Sequence, residues 1–376
     1  MSRRFAELPL HTGTAPRWLF DRMVGLAECI VGMAVEEYGT GGLLRRLSDP
    51  WFFQSLACVL AFDWHSSGTT TVTCGALKEA IDLEKHGIAV SGGKGRASNK
   101  APQEIEEKAP RLGLATSLTD RLVHASKMSA KVDNSVVQAG YPLYHHCFLF
   151  DSQGRWIVIQ QGLNKEERMA RRYHWGLDHH GFIEEPGNTA VCSTKRQIAL
   201  DMTHGESREN REISLDLVKG NPDELARIYR SIKPGHQRTL DQWTGEPAIE
   251  HLNHHEFLHM PRTLNWNLIR QIYEFQPRDY EEFVSLQGVG PSTIRGLALV
   301  AELVYGARPS WRDPVRYSFA FGGKDGVPFP VNRKSMDEAI DLLKQGIDKS
   351  SQTRNQKLSA FGRLRRCLPR DSELSL

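Results

Sequence analysis

Apolar residues recur at helical spacing through "PRWLFDRMVGLAECIVGMAVEEYGTGG", which predicts one or two amphipathic helices ending at Gly39. The apolar run in "ACVLAFDWHSSGTTT" reads as a buried strand entering a polar loop, and "CGALKEAIDLEKHG" as a helix stopped by Gly87. "IAVSGGKGRASNKAPQEIEEKAPRLG" reads as a Gly/Lys-rich loop leading into a helix with Pro102 near its first turn. "YPLYHHCFLF" and "RWIVIQQGL" flank "DSQG", the pattern of a β-hairpin. A four-residue turn there sets Phe150 opposite Arg155, His145 opposite Gln160 and Tyr144 opposite Gln161.

"KEERMARRYHWG" then reads as a basic helix, residues 176–211 as irregular, and "SLDLVKGNPDELARIYRSI" as helical. "KPGHQRTLDQWTGEP" reads as an interdomain linker, after which the chain is mostly helical and ends in the basic tail "FGRLRRCLPR". The expected fold is a mixed α/β (mixed α+β) N-terminal domain over 1–240 and a mainly α-helical domain over 245–376.

Length and composition suit that plan: 376 residues are enough for two cores, with 40% hydrophobic and 25% charged residues. The net charge of +3 admits a nucleic-acid partner without requiring one. Six scattered cysteines with no C-x-x-C pair argue against a zinc ribbon and a secreted disulfide framework. The start lacks a signal peptide's apolar stretch, and no segment is apolar enough for a membrane span. The expectation is a soluble, cytoplasmic protein; a homodimer is compatible with it.

In "LQGVGPSTIRGLALVAELVYGARPSWRD", Gly288 and Gly290 remove side chains where backbone amides would approach a phosphate. The start of the next helix, at Pro291, Ser292 and Thr293, adds partial positive charge. Leu286 and Val289 pin the turn, while Leu297, Leu299, Val300 and Leu303 supply an apolar surface. With "WNLIRQIYEFQPRDYEEFVSL" as first helix, about 265–306 resembles the helix-hairpin-helix of DNA repair proteins. That resemblance implies a grip on one strand's backbone without sequence reading. A tight packing turn is the structural alternative.

The hairpin, its Gly/Pro loop and Asp313 also resemble base-excision glycosylases, in which such an Asp supports a cationic sugar transition state. Two departures stand against it: Ser292 falls where bifunctional members carry a lysine, and the preceding helical segment is short for the full glycosylase barrel. The structural alternative pairs Asp313 locally with Arg312 or Arg316. Across its length the chain resembles domain-of-unknown-function family 763. The stretches "LPLHTGTAPRWLF", "FDWHSSGTTT", "HGIAVSGGKGRAS", "QAGYPLYHHCFLF", "WIVIQQGLN" and "DPVRYSFAFGGKDGVPFPV" carry that resemblance.

Within the larger domain, Asp63 ends an apolar run beside His65 and a hydroxyl-rich loop, a pattern that suits a metal, a phosphate oxygen or a capped turn. Gly92, Gly93, Lys94, Gly95 and Arg96 offer a phosphate clamp or a flexible loop; with Gly95 after Lys94, this is not a nucleotide-binding P-loop. His145 and His146, if buried, need polar partners such as Gln160 and Gln161; with Asp133 and Gln138 they could form a site. The second strand lacks the D/E-x-K of restriction-type nucleases. Arg168, Arg171, Arg172 and His174 line a DNA channel or a solvated face. His251, His254, His255 and His259, the last two one helical turn apart as metal ligands can be, read as linker residues.

The function expected is DNA binding and processing in repair or recombination. It is tied to cleavage by a divalent metal, magnesium or manganese, held by Asp63 and Asp133 with His145 and His146 beside them. A glycosylase using Asp313 and a non-enzymatic DNA-structure binder are the alternatives.

Overall fold

The structure, a computed structural model, describes residues 17–60, 68–193, 198–232, 260–316 and 344–349, and 353–358 apart from 356. The first helix, α1 (Arg17–Ser48), breaks at Gly39 (φ 69°, ψ 175°) as its sequence predicts, then resumes. The apolar run after it is a helix, α2 (Pro50–Val59), rather than the expected strand. Asp49 accepts from the Trp51 and Phe52 amides and Pro50 opens the first turn, strong start signals for a helix. Nearly every residue of α2 is buried, so it lacks the amphipathic stripe that tells a helix from a buried strand. Asp63 and His65 lie outside the described residues.

After α3 (Gly68–Ala80) and the short α4 (Leu83–His86), strand β1 (Ile88–Lys94) enters the sheet. It runs through the Ser91–Lys94 stretch expected to be loop. Helices α5 (Ala101–Lys108) and α6 (Thr116–Lys131) follow, then a π-turn over Val132–Val136 and the two-residue strand β2 (Val137–Gln138).

The hairpin forms from β3 (Leu143–Asp151) and β4 (Trp156–Asn164), but shifted from the expected register: Phe150 pairs with Trp156, His146 with Gln160 and His145 with Gln161. Asp151 causes the shift. Its carboxylate accepts from the Gln153 and Arg155 amides and binds the Arg155 guanidinium, which keeps Arg155 in the turn.

"MARRYHWG" is strand, not helix: β5 (Met169–His179) pairs with both β4 and β6 (Gly187–Cys192), and Arg168 lies in the turn before it. The latter, with β7 (Leu200–Asp201), lies in the stretch read as irregular. The main sheet is antiparallel throughout in the order β1-β3-β4-β5-β6, and β2 pairs with β7 apart from it. Helices α7 (Arg208–Lys219) and α8 (Pro222–Ile232) follow. The C-terminal part contains α9 (Trp266–Phe275), α10 (Tyr280–Ser285) and α11 (Pro291–Tyr305).

Both faces of the sheet are covered. Cys147, Leu149, Ile157 and Ile159 pack under α1, α2 and α3. Phe148, Phe150, Val158 and Trp175 face a core shared with α6, α9, α10 and α11. The hairpin helices thus rest on the same apolar core as the sheet. The expected linker around 240 lies outside the described residues.

Candidate nucleic-acid interface and buried polar groups

The helix expected before the Gly-Val-Gly turn is two helices. Gln276 adopts a left-handed conformation (φ 53°) before Pro277, and Asp279 restarts the chain as α10 by capping the Glu282 amide. Val289 is buried beneath the following turn, with Phe283, Val284, Ile294 and Leu297 in the same core. Leu297, Leu299 and Val300 are buried, whereas Leu303, near the end of α11, is 45% exposed.

The two glycines differ. Gly288 has φ 91°, and an added Cβ would come within 3.2 Å of Leu268 Cδ1, so the fold requires it. Gly290 is extended (φ −141°, ψ −172°), and its nearest neighbour to an added Cβ is the Gly288 carbonyl oxygen at 4.0 Å. Nothing among the described residues requires glycine there. Gly290 is also the N-cap of α11, and no described side chain caps it. Gln287, Gly288 and Ser292 are exposed, Gly290 and Pro291 half-buried, and Thr293 buried rather than facing outward.

Beneath the turn, Lys131 reaches from the last residue of α6. Its Nζ donates to the carbonyl oxygens of Val284 (2.8 Å), Leu286 (2.6 Å) and Val289 (2.8 Å). Burial lowers its pKa to about 8, while the three carbonyl dipoles act to retain the charge. Sequence reading missed Lys131: a lysine at a helix end 153 residues before Val284 carries no local signal of this contact.

The adjacent histidines point to opposite faces of the sheet. His146 Nε2 is 2.9 Å from Ser126 Oγ, and its Nδ1 is 2.8 Å from Gln160 Oε1. Gln160 Nε2 donates to Asp133 Oδ2 at 2.5 Å, which also accepts from Trp175 Nε1 at 2.8 Å. Burial raises the Asp133 pKa to about 7, against these two donors, and lowers that of His146 to about 4. Asp133 and His146 therefore share one buried hydrogen-bonded chain, but the joining group is the Gln160 amide. Gln138 lies apart from it, donating to the Ser135 and Pro291 carbonyls.

His145 faces the α1–α3 side in a polar row formed by register: Lys94 of β1, His145, Gln161 of β4 and Arg172 of β5. Thr70, in the first turn of α3, donates to Gln161 Oε1. Among the described residues neither ring nitrogen of His145 has a hydrogen-bond partner, and burial first, then His146 and Lys94, lowers its pKa to about 3. The expected grouping of His145 with His146 and Asp133 is thus split by the sheet.

Arg171 and Arg172 are buried, not solvated or channel-lining. Arg171 donates Nη1 to Asp313 Oδ1 (3.0 Å) and Nη2 to Asp313 Oδ2 (2.7 Å), and its guanidinium lies over Tyr141. The segment carrying Asp313 is stitched to the strands: Asp201 N donates to Ser310 O, and Arg316 N to Val191 O. The local partners expected for Asp313 bind elsewhere, Arg312 at Glu206 and Arg316 at the Gly187 and Thr189 carbonyls. Arg172 donates to Gln54 Oε1 and stacks over Phe53, with the Cys192, Cys74 and Cys58 thiols around it.

Lys94 and Arg96 are exposed. Gly92 has a structural cause, since a Cβ there would meet His146 O at 2.2 Å. The expected histidine cluster at 251–259 lies outside the described residues, and among the described residues no group of three metal-ligating side chains converges. A groove of about 970 Å³ runs beside α10. Its Arg208, Arg211 and Arg278 are engaged by Glu184 and Glu282, so it is not a cationic channel. No described helix is long and apolar enough to cross a membrane.

The family model described as "Protein of unknown function (DUF763)" matches residues 4–331, and the chain belongs to that family. No curated protein and no solved structure matches it.

Proposed function

We propose that this DUF763 protein binds DNA through its C-terminal hairpin, gripping phosphates rather than reading bases. The observation that carries this reading is Gly290: a backbone position at the start of a 15-residue helix, without a described side-chain cap, where nothing among the described residues requires glycine. Such a position lets a ligand approach the main chain closely, and the helix dipole favours an anion. The choice of DNA, and a role in repair or recombination, rests on the hairpin's resemblance to DNA repair proteins.

Fluorescence anisotropy with labelled duplex, nicked and single-stranded DNA tests the reading. Affinity should vary little with sequence and fall steeply between about 50 and 200 mM salt, as counterions released on binding are restored. Binding with no salt slope, or no binding to any of the three DNAs, would sink it.

A second reading, metal-dependent strand cleavage, is favoured by the polar row Lys94–His145–Gln161–Arg172 beside the first turn of α3. The segment carrying Asp63 immediately precedes that helix in the chain. Cutting in magnesium or manganese that is abolished by Asp63→Asn supports this reading; equal cutting by that variant removes Asp63 from it. The Asp133 network gives less support, because a carboxyl with its pKa raised to about 7 and two neutral donors is poorly set to hold a divalent ion. The glycosylase alternative requires Asp313 to serve a sugar while bound in both oxygens by Arg171.

A further inference from the structure

Three main-chain carbonyls within six residues, Val284, Leu286 and Val289, converge on a single ammonium at 2.6–2.8 Å. Each carbonyl presents the negative end of its dipole, and bringing three together without a cation would leave them mutually repelling in a half-buried space. Among the described residues only the Val289 amide would still donate to one of them, Leu286 O. Among the described residues no carboxylate forms an ion pair with Lys131, and its charge is stabilised by the turn's own dipoles instead of by a counter-ion. The ammonium is delivered by α6, an element distant in sequence that is continuous with the sheet's polar core through Val132 and Asp133.

We propose that Lys131 is the hairpin's internal cation, a positioning residue that fixes the turn in the shape that meets phosphate and makes the grip independent of any external monovalent ion. The inference rests on the DNA-binding reading for its functional part, while the cation cage can be tested without DNA. Lys131 draws the carbonyl side of the turn inward and adds positive potential behind the Gly290–Ser292 backbone. With the lysine truncated, the same oxygen cage would take a small monovalent cation from solution, the ammonium ion being the nearest chemical replacement.

The test uses the full chain, Lys131→Ala, which leaves room for an ion, and Lys131→Met, which fills the space without charge. Thermal melting without DNA compares ammonium chloride with tetramethylammonium chloride at equal ionic strength, the second cation being too large for the cage. Wild type should melt alike in both salts, Lys131→Ala should be restored by ammonium, and Lys131→Met should respond to neither. DNA anisotropy in the same salts should show Lys131→Ala weakened by at least about tenfold in tetramethylammonium, as expected for losing a charge-assisted contact set, and largely recovered in ammonium.

Wild-type melting that depends on the cation, or a Lys131→Ala defect that ammonium leaves unchanged, would overturn the proposal. Recovery of melting by ammonium in a protein that binds no DNA would keep the cage and discard the DNA reading alone. Lysine-selective nitrogen NMR of the wild type covers the case in which both variants fail to fold. One ammonium signal should exchange slowly with water, and fast exchange for every lysine would overturn the proposal.

Discussion

Lys131 and Asp133 stand two residues apart at the end of α6, and both meet neutral dipoles rather than an opposite charge. Lys131 points into the hairpin turn, where three carbonyls accept its hydrogen bonds and the outer side of the turn is open to solvent. Asp133 points into the sheet, where Gln160 and Trp175 donate to it and the surroundings are sealed. A buried polar group marks a binding surface only when the backbone it organises faces outward. The same chemistry turned inward gives a core its single arrangement of partners. Variants at the exposed backbone of the hairpin should change DNA affinity with little effect on stability, variants of Lys131 beneath it should change both, and variants on the sheet side should change stability alone.

The largest effect should come from the sheet side. Asp313→Ala leaves the buried Arg171 guanidinium without its two carboxylate oxygens, and should cost about 3–5 kcal/mol of stability in urea unfolding. Pairing Arg171→Met with Asp313→Leu should recover much of that loss, because neither charge then has to be desolvated. If Asp313→Ala keeps wild-type stability but loses an activity on damaged bases, the chemistry belongs at Asp313 and the comparison fails there.

Next in size is Gly290→Val on the hairpin side. The position is extended and spacious, so circular dichroism and melting should match wild type. Branched carbons at the phosphate-facing backbone should cost about 1.5–3 kcal/mol of binding, the range for a hydrogen bond to a charged group. Gly288→Val is a poorer probe, since its φ of 91° and the nearby Leu268 side chain make the substitution strain the fold as well. Wild-type affinity in Gly290→Val would leave the turn as packing alone.

The hairpin is legible in the sequence because its signals are local: Gly-Val-Gly, Pro at the first helical position and an apolar helix face all lie within "LQGVGPSTIRGLALV". The sheet is only half legible. Its β3–β4 hairpin announces itself, while β5 reads as a helix because "RMARRY" is rich in cations that look solvated. Those cations are tolerated inside because Asp313, 142 residues away, and Gln54, 118 residues away, come to meet them. Long-range partners of this kind leave no spacing pattern. Strand alternation alone puts His145 and His146 on opposite faces, so their adjacency in the chain argues against a common site. The one-residue register difference arises at Arg155, which the apolar pattern assigns to the strand and Asp151 holds in the turn.

A medium effect is expected from pH. Asp133, with its pKa raised to about 7, contributes stability that is present below its ordinary 3.8 and lost as pH rises through 7. His145 and His146, lowered to about 3 and 4, act with the other sign: their contribution is present above 6.5 and lost as pH falls. Over pH 4–6.5 the three slopes partly cancel, each amounting to about 1.4 kcal/mol per pH unit when fully developed. Asp133→Asn keeps an acceptor for Gln160 and Trp175 but removes the titration. Its stability should therefore rise more steeply with pH than that of wild type, and should exceed it at pH 8. Urea unfolding at pH 5, 6.5 and 8 checks this, and a variant that loses stability at pH 8 would show that Asp133 is held ionised.

The smallest effect separates two neighbours on α11. Ser292 is exposed at the second position of the helix, and Thr293 beside it is buried. A Ser292 hydroxyl that donates to a phosphate contributes about 0.5–1.5 kcal/mol, so Ser292→Ala should weaken DNA binding by a few-fold with stability unchanged. Because no charge is removed, the dependence of affinity on salt should keep its slope while the whole line shifts down. Thr293→Val conserves shape under the turn and should leave affinity where it is. Anisotropy at four salt concentrations resolves the pair. Equal affinity for wild type and Ser292→Ala, with a loss in Thr293→Val, would place the contact surface on the other side of α11 and break the assignment of Gly290 to a phosphate.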